Sequence, residues 1–346
     1  GFYQCHGFVE DNTVQANITT RVPSAGGGLC YCDGYFTGNS ILDNEIEDDG
    51  GGMQECMGLI ESNIISGNRA GTGGGDGGAT EYCMGIIRFN TVENNFAGGD
   101  GGAFRKAYGT VEYNTFSGNT AVQAGGALAY TDGVCEYNEF RDNETESAGG
   151  ALHGCRGRME GNLFTSNQAS GNGGAMNDCQ GPTLNNIFYD NTAGHDGGAL
   201  RGCKGISENN TVYGNQSTGA GYHGGGYALH EGPLRNNIIW ANTASGDNQL
   251  YGSGTPAYCC IEDWSGGGKM NIALSPGLTA PLSEDFHLLP NSPCIDAGKE
   301  SLAAGDYERD CRGYDGSGEN RGDGSGFDIG ADEYVIQSSV FGWQVY

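Results

Sequence analysis

The chain has 346 residues, 66 of them glycine, and a formal charge of −27 from 16 basic and 43 acidic residues. That balance argues against nucleic-acid binding, which needs a basic surface to meet phosphates, and it disfavours anionic membranes for the same reason. No run of eighteen apolar residues occurs, so no membrane span is expected, and regularly spaced apolar residues separate this glycine-rich chain from a disordered one.

From the N-terminus onward the pattern N-x-(apolar)-x-x-N recurs ten times. Its first asparagines are Asn12, Asn39, Asn63, Asn90, Asn114, Asn138, Asn162, Asn186, Asn210 and Asn237, at intervals of 27, 24, 27, 24, 24, 24, 24, 24 and 27 residues. A fixed period of this size signals a solenoid, whose units bury their apolar faces only against neighbouring units. Two residues after each first asparagine runs an apolar column from Val14 through Phe116, Phe140, Phe164 and Phe188 to Ile239. A second column (Val9, Phe36, Ile60, Ile87, Val111, Cys135, Met159) lies three residues before the first asparagine, and a third runs from Phe2 and Leu29 to Leu200 and Tyr227. These segments are too short for helices and are divided by glycine or asparagine corners. The pattern predicts an all-β parallel β-helix of about ten 24-residue coils with three sheets, stacked roughly 4.8 Å apart. Residues 1–250 hold the repeats, 251–334 a C-terminal closing region packed on the solenoid, and 335–346 an apolar tail.

The repeat G-x-x-x-x-N-x-(apolar)-x-x-N, followed by GGA, resembles the right-handed parallel β-helix repeat proteins of bacterial and archaeal surfaces, over nearly the whole chain. The stretches 285–298 (DFHLLPNSPCIDAG) and 328–334 (DIGADEY) are similar to the C-terminal region of secreted β-helix proteins of the choice-of-anchor type. The resemblance implies an extracellular or cell-surface location and a closing role for these two motifs, normally ahead of an anchoring segment. Here VIQSSVFGWQVY follows, and Gly1 is not preceded by a signal peptide, so the sequence reads as a mature or trimmed product.

Seven of the thirteen cysteines fall seven residues before the first asparagine: Cys5, Cys32, Cys56, Cys83, Cys155, Cys179 and Cys203. Two readings stand. Neighbouring coils could be stapled by disulfides, as between Cys32 and Cys56 or Cys179 and Cys203, or the column could be a stack of small buried thiols. A linear stack makes a poor metal tetrahedron. Cys259, Cys260, Cys294 and Cys311 lie outside this column and are expected to bridge the C-terminal segment onto the last coils, and the odd total leaves one thiol unpaired within the chain.

The charged residues are also columnar. Asp49, Asp76 and Asp100 stack beside the glycine corner on three successive coils, an oxygen-rich position that suits Ca2+. The acidic cluster Asp306, Asp310, Asp315, Asp323 and Asp328 is a second place for a structural ion. Arg105, His153, Arg156 and Arg201 are glycan-binding candidates on the variable strand, but they are scattered over several coils and form no tight catalytic constellation. Gly1, Phe2 and Tyr3 enter at the start of a strand and leave an open sheet edge, which invites addition of another chain. The tail residues Val340, Phe341, Trp343, Val345 and Tyr346 suit packing over a neighbour's end or flank, or over the chain's own last coil. The expected function is an extracellular structural subunit assembling head to tail with itself. A glycan-binding adhesin and a polysaccharide lyase or hydrolase are the alternatives.

Overall fold

The computed structural model describes residues 1–20, 26–303, 305–314, 316 and 321–335. It is a parallel β-solenoid in which corresponding residues of successive coils pair in register, as Val111 with Cys135 and Phe116 with Phe140. Three sheets each hold eleven strands among the described residues, one more coil than the asparagine motif counts. The eleventh coil comprises Leu250–Tyr251, Pro256–Ala257 and Cys260–Ile261. It escapes the motif because Cys259 and Trp264 stand where the two asparagines are expected.

A fourth sheet, of nine strands, follows the second asparagine of each unit and runs from Ile18–Thr19 to Gln216–Ser217. The three-sheet expectation is corrected here. The inward column of this face is Ile46, Ala70, Ala97, Ala121, Thr145, Ala169, Ala193 and Ser217, all at most 3% exposed. Its alanines lack the bulk that marks an apolar column in sequence.

Inside, Phe116, Phe140, Phe164 and Phe188 form a continuous stack with ring centroids 5.0, 4.8 and 4.7 Å apart. Burial of these rings and of the aliphatic columns removes most of the coil interior from water, the main favourable term in folding. The corners are held by two asparagine ladders. Each buried asparagine accepts the next-lower coil's backbone N–H on Oδ1 and donates Nδ2 to a carbonyl of that coil and to the following asparagine. Asn138 is typical: Oδ1 accepts Asn114 N at 2.9 Å, while Nδ2 donates to Val111 O at 2.8 Å and to Asn162 Oδ1 at 3.1 Å. Every polar atom of the buried amide is thereby satisfied, which is what permits it to be buried.

Beyond Ile261 the chain begins a partial further turn, with Lys269 bridging to Ala257 and Ile272 to Cys260. Trp264 packs against the interior at this end. An antiparallel pair, Leu278–Ala280 with Asp285–Leu288, then leads into a region that lies along the solenoid's flank. There Phe286 and Ala331 cover Leu163 and Ile187, and Leu288, Cys294, Ile295 and Ile329 pack on Ile238 and Cys260. Asn185, Asn209 and Asn236 tie this region down through Gly305 O, Ser301 Oγ and Lys299 O. The closing region therefore sheathes the side of coils seven to ten and reaches back to coils five and six, where Arg309 lies over Tyr113 and Tyr137 and Glu284 accepts both terminal nitrogens of Arg141. The outward position just after the first asparagine contributes to this packing: it is Thr91, Thr115 and Glu139 in coils four to six, Leu163, Ile187 and Ile238 in coils seven, eight and ten, and in coil nine Thr211, whose Oγ1 accepts Ala331 N–H at 3.1 Å.

Candidate functional site

The aspartate stack is built as a ladder. Asp76 N–H donates to Asp49 Oδ1 and Asp100 N–H to Asp76 Oδ1, each at 2.7 Å. The same device returns where His223 N–H donates to Asp196 Oδ1 at 2.8 Å. One oxygen of each carboxylate is thus engaged by backbone. The other oxygen of Asp76 meets Arg105 Nη1 at 3.0 Å, and the same nitrogen lies 2.9 Å from Glu81 Oε1. Gln54 Nε2 donates to the second oxygen of Glu81 at 3.0 Å. Asp49, Asp76 and Glu81 bring ligand atoms within 4.8 Å of one another, so Glu81 rather than Asp100 completes the oxygen group. Sequence columns miss Glu81 because its own column reads Gln54, Glu81, Arg105, Ala129, His153 and carries no repeated chemistry. Burial raises Asp49, Asp76 and Asp100 above the usual carboxylate range and pushes Glu81 up to about 7. Arg105 stands where a bound cation between Asp76 and Glu81 would sit.

The other basic candidates remain apart. His153 lies 3.2 Å from Asn177 Nδ2 and edge-on to Tyr130, and burial lowers its pKa. Arg156 faces Asp132 at 3.7 Å and Arg201 faces Asp178 at 3.5 Å. These four side chains spread over coils five to nine, and each of the three arginines faces a carboxylate of its own.

All thirteen cysteines carry free thiols in this structure. Those of the inward column are buried from Cys32 onward, and their Sγ groups donate to the carbonyl two residues back at 3.3 to 3.8 Å, as in Cys32, Cys56 and Cys83. Cys155, Cys179 and Cys203 repeat the contact. Cys259 is not outside the ladders: it takes the asparagine position of the eleventh coil, where Asn237 N–H donates to its Sγ at 3.4 Å. Cys260 and Cys294 meet in the packing between that coil and the sheath, and Cys311 is exposed. Cys5 is half-buried in the first coil.

Within the sheath the buried Arg312 donates Nη2 to Gly330 O and Ala331 O at 2.9 and 2.8 Å and faces Glu333 at 3.4 Å. Asp306, Asp328, Asp332 and Glu333 are all buried nearby, while Asp323 turns to the surface and Asp315 lies outside the described residues. Burial, then repulsion from Glu333, pushes Asp328 up to about 8. A carboxyl raised on folding is held protonated in the folded state, so its contribution to stability is full at acid pH and is lost as pH rises through about 8. Limited proteolysis between residues 292 and 335 is therefore expected to be faster at pH 9 than at pH 6, after correction with an unstructured peptide. Asp328→Asn, which removes the ionisation but turns its amide nitrogen against the backbone N–H of Asp296 or Tyr334, should flatten that difference while raising the rate at both pH values.

On the outward face of the first five coils exposed apolar side chains cluster, edged by His6, Asp33 and a largely charged column from Glu10 to Glu112. Phe8 is 72% exposed and stacks on Tyr35 at 5.0 Å, and Met57, Met84 and Ile86 are 41 to 43% exposed. Tyr31, Met57, Tyr82 and Met84, with Asp33 and Glu55, line a groove of about 370 Å3. The column of Met57, Met84 and Tyr108 begins with His6 and Asp33 and continues with Asp132, Arg156, Gln180, Lys204 and Glu231, so its apolar stretch is confined to coils three to five, while Phe8 and Tyr35 extend the neighbouring column over coils one and two. Phe2 and Tyr3 are exposed beside it, at 37 and 62%, in first-coil strands paired on one side only. Val340, Phe341, Trp343, Val345 and Tyr346 lie outside the described residues. Among the described residues no helix is long and apolar enough to cross a membrane. No family model matches the chain, and no curated protein shows significant similarity to it.

Proposed function

We propose that the chain is an extracellular structural subunit that assembles head to tail with further copies of itself. The observation that carries this reading is the apolar face on coils one to five of a chain with formal charge −27. Contiguous exposed apolar patches on otherwise charged proteins mark interaction surfaces. The occupant we assign is the segment 336–346 (IQSSVFGWQVY) of a second copy, which contains no charged side chain and six apolar or aromatic residues. Tyr334, the residue that leads towards it, packs beside Ile238 and Cys260 in the C-terminal half of the rod. A donor segment leaving one half and an acceptor face in the other make a heterologous contact, which propagates into a filament unless the ring closes. The similarity of 285–298 and 328–334 to choice-of-anchor proteins supports the extracellular placement, and the Cys260 and Cys294 contact offers a staple there under oxidising conditions.

Sedimentation velocity over a concentration series tests the contact. The full chain should form concentration-dependent oligomers, whereas Met84→Glu/Ile86→Glu and deletion of 336–346 should each yield monomers with nearly unchanged melting temperature. Both substituted side chains are solvent-facing, so folding is not the confounding variable. Oligomers that persist in both variants would refute the assigned contact, and a chain that stays monomeric while an acidic or neutral polysaccharide binds this face would favour the adhesin reading instead.

A further inference from the structure

The sheath carries a group of side chains that neither the solenoid ladders nor the assembly face uses. His287, from the strand Asp285–Leu288, Glu308, from the following loop, and Asp332, from the DIGADEY motif, each bring one ligand atom within 4.8 Å of the others. His287 Nε2 lies 3.7 Å from Glu308 Oε1. On the other side of the ring, Nδ1 is 2.7 Å from Asp285 Oδ1, a carboxylate outside the group. With Nδ1–H donated to Asp285, the free ring nitrogen is the one that faces Glu308 and Asp332. That is the outer carboxylate arrangement which fixes tautomer and ring orientation in metal-binding histidines. Asp332 is held in place because its Oδ2 accepts Leu288 N–H at 2.7 Å, leaving Oδ1 for a ligand. The three residues border an open cavity of about 560 Å3 that also touches Asp310, Tyr334 and Val335.

The local charge also calls for a cation. Asp306, Glu308, Asp332 and Glu333 crowd this corner, and the guanidinium of Arg312 is spent on Glu333 and on two carbonyls. We propose that His287, Glu308 and Asp332 form a three-residue site for a divalent transition metal of the zinc or manganese class, with its remaining positions open to the cavity. One imidazole and two carboxylates suit such ions, whereas Ca2+ takes six to eight oxygen ligands and would gain nothing from the imidazole. The ion ties together three separate stretches of the sheath, and the open side leaves room for water or an anionic group.

The test uses the full chain after chelator treatment, titrated with CoCl2 and followed by absorbance, and with ZnCl2 followed by calorimetry. One Co2+ per chain is expected, with visible d–d bands and without the near-ultraviolet charge-transfer band of a thiolate ligand. His287→Ala should abolish the bands, Asp285→Asn should weaken binding about 10–100-fold, and Asp76→Asn on the distant aspartate stack should leave binding intact. Zn2+ should raise the melting temperature of the wild type and not of His287→Ala, whose exposed ring is not needed for folding. Absence of saturable binding, a thiolate band, or binding unchanged in His287→Ala would each overturn the site.

Discussion

Replacing Asn138 with alanine is expected to lower the stability of the chain by about 2–6 kcal/mol, since it strips partners from two buried polar groups and each one left unpaired costs about 1–3 kcal/mol. The amide is 1% exposed. Its loss orphans Asn114 N–H, which it accepts at 2.9 Å, and removes its donation to Val111 O at 2.8 Å, while Glu136 O keeps the backbone N–H of Tyr113 at 3.2 Å. Both groups lie in the buried corner, so the methyl group gained offers little in return. Asn138→Asp should fare no better, because a carboxylate keeps the acceptor but loses both donors and faces Asn162 Oδ1. Glu139→Ala, one residue away on the outward face, is the matched control and should change stability by less than about 0.5 kcal/mol. Urea unfolding gives the magnitude. Hydrogen exchange gives the location: coils contact only their neighbours, so protection should fall around coils five to seven and persist in coils two and nine.

Gly85→Ala is expected to act through the backbone. Gly85 belongs to a column, Gly34, Gly58, Gly85 and Gly109, whose φ values run from +116° to +130°. An L residue is strained there, and a Cβ on Gly85 would strike the carbonyl oxygen of Gly58 well inside van der Waals contact. Neither atom is the end of a flexible side chain, so relief requires parting two coils whose strands Met57–Glu61 and Met84–Arg88 pair residue for residue. Strain and overpacking together amount to about 2–6 kcal/mol. The comparison is Gly73→Ala, which meets nothing within 4 Å and has no positive φ, and which should melt like the wild type. A destabilisation at Gly73 equal to that at Gly85 would contradict the stacking argument.

These two columns were legible in the sequence because stacking repeats the same constraint at every coil, and a constraint that repeats leaves a column of letters. What lacked repetition stayed hidden. The fourth sheet presents mostly alanine inward, which is apolar but not distinctive. The eleventh coil satisfies its corner with Cys259 and Trp264, keeping the contact while changing the letter. The sheath occupies the flank partly through Leu163, Ile187 and Ile238, but the exposed Ile64 and the covered Thr211 in the same outward column blur the pattern, so the column alone does not mark the covering segment. The oxygen group at Asp49 and Asp76 was half visible: its third member, Glu81, and its internal cation, Arg105, come from a column that changes chemistry at each coil. His287, Glu308 and Asp332 are separated by 21 and 24 residues of irregular chain, a spacing that carries no motif.

Filament formation is the point on which the functional account stands or falls. One solenoid of eleven coils spaced about 4.8 Å apart is a rod about 50 Å long. Negative-stain imaging of the purified full chain should show threads one solenoid wide that lengthen with concentration and vanish in Met84→Glu/Ile86→Glu. Isolated rods of single-chain length at every concentration, indistinguishable from those of the double variant, would contradict the account.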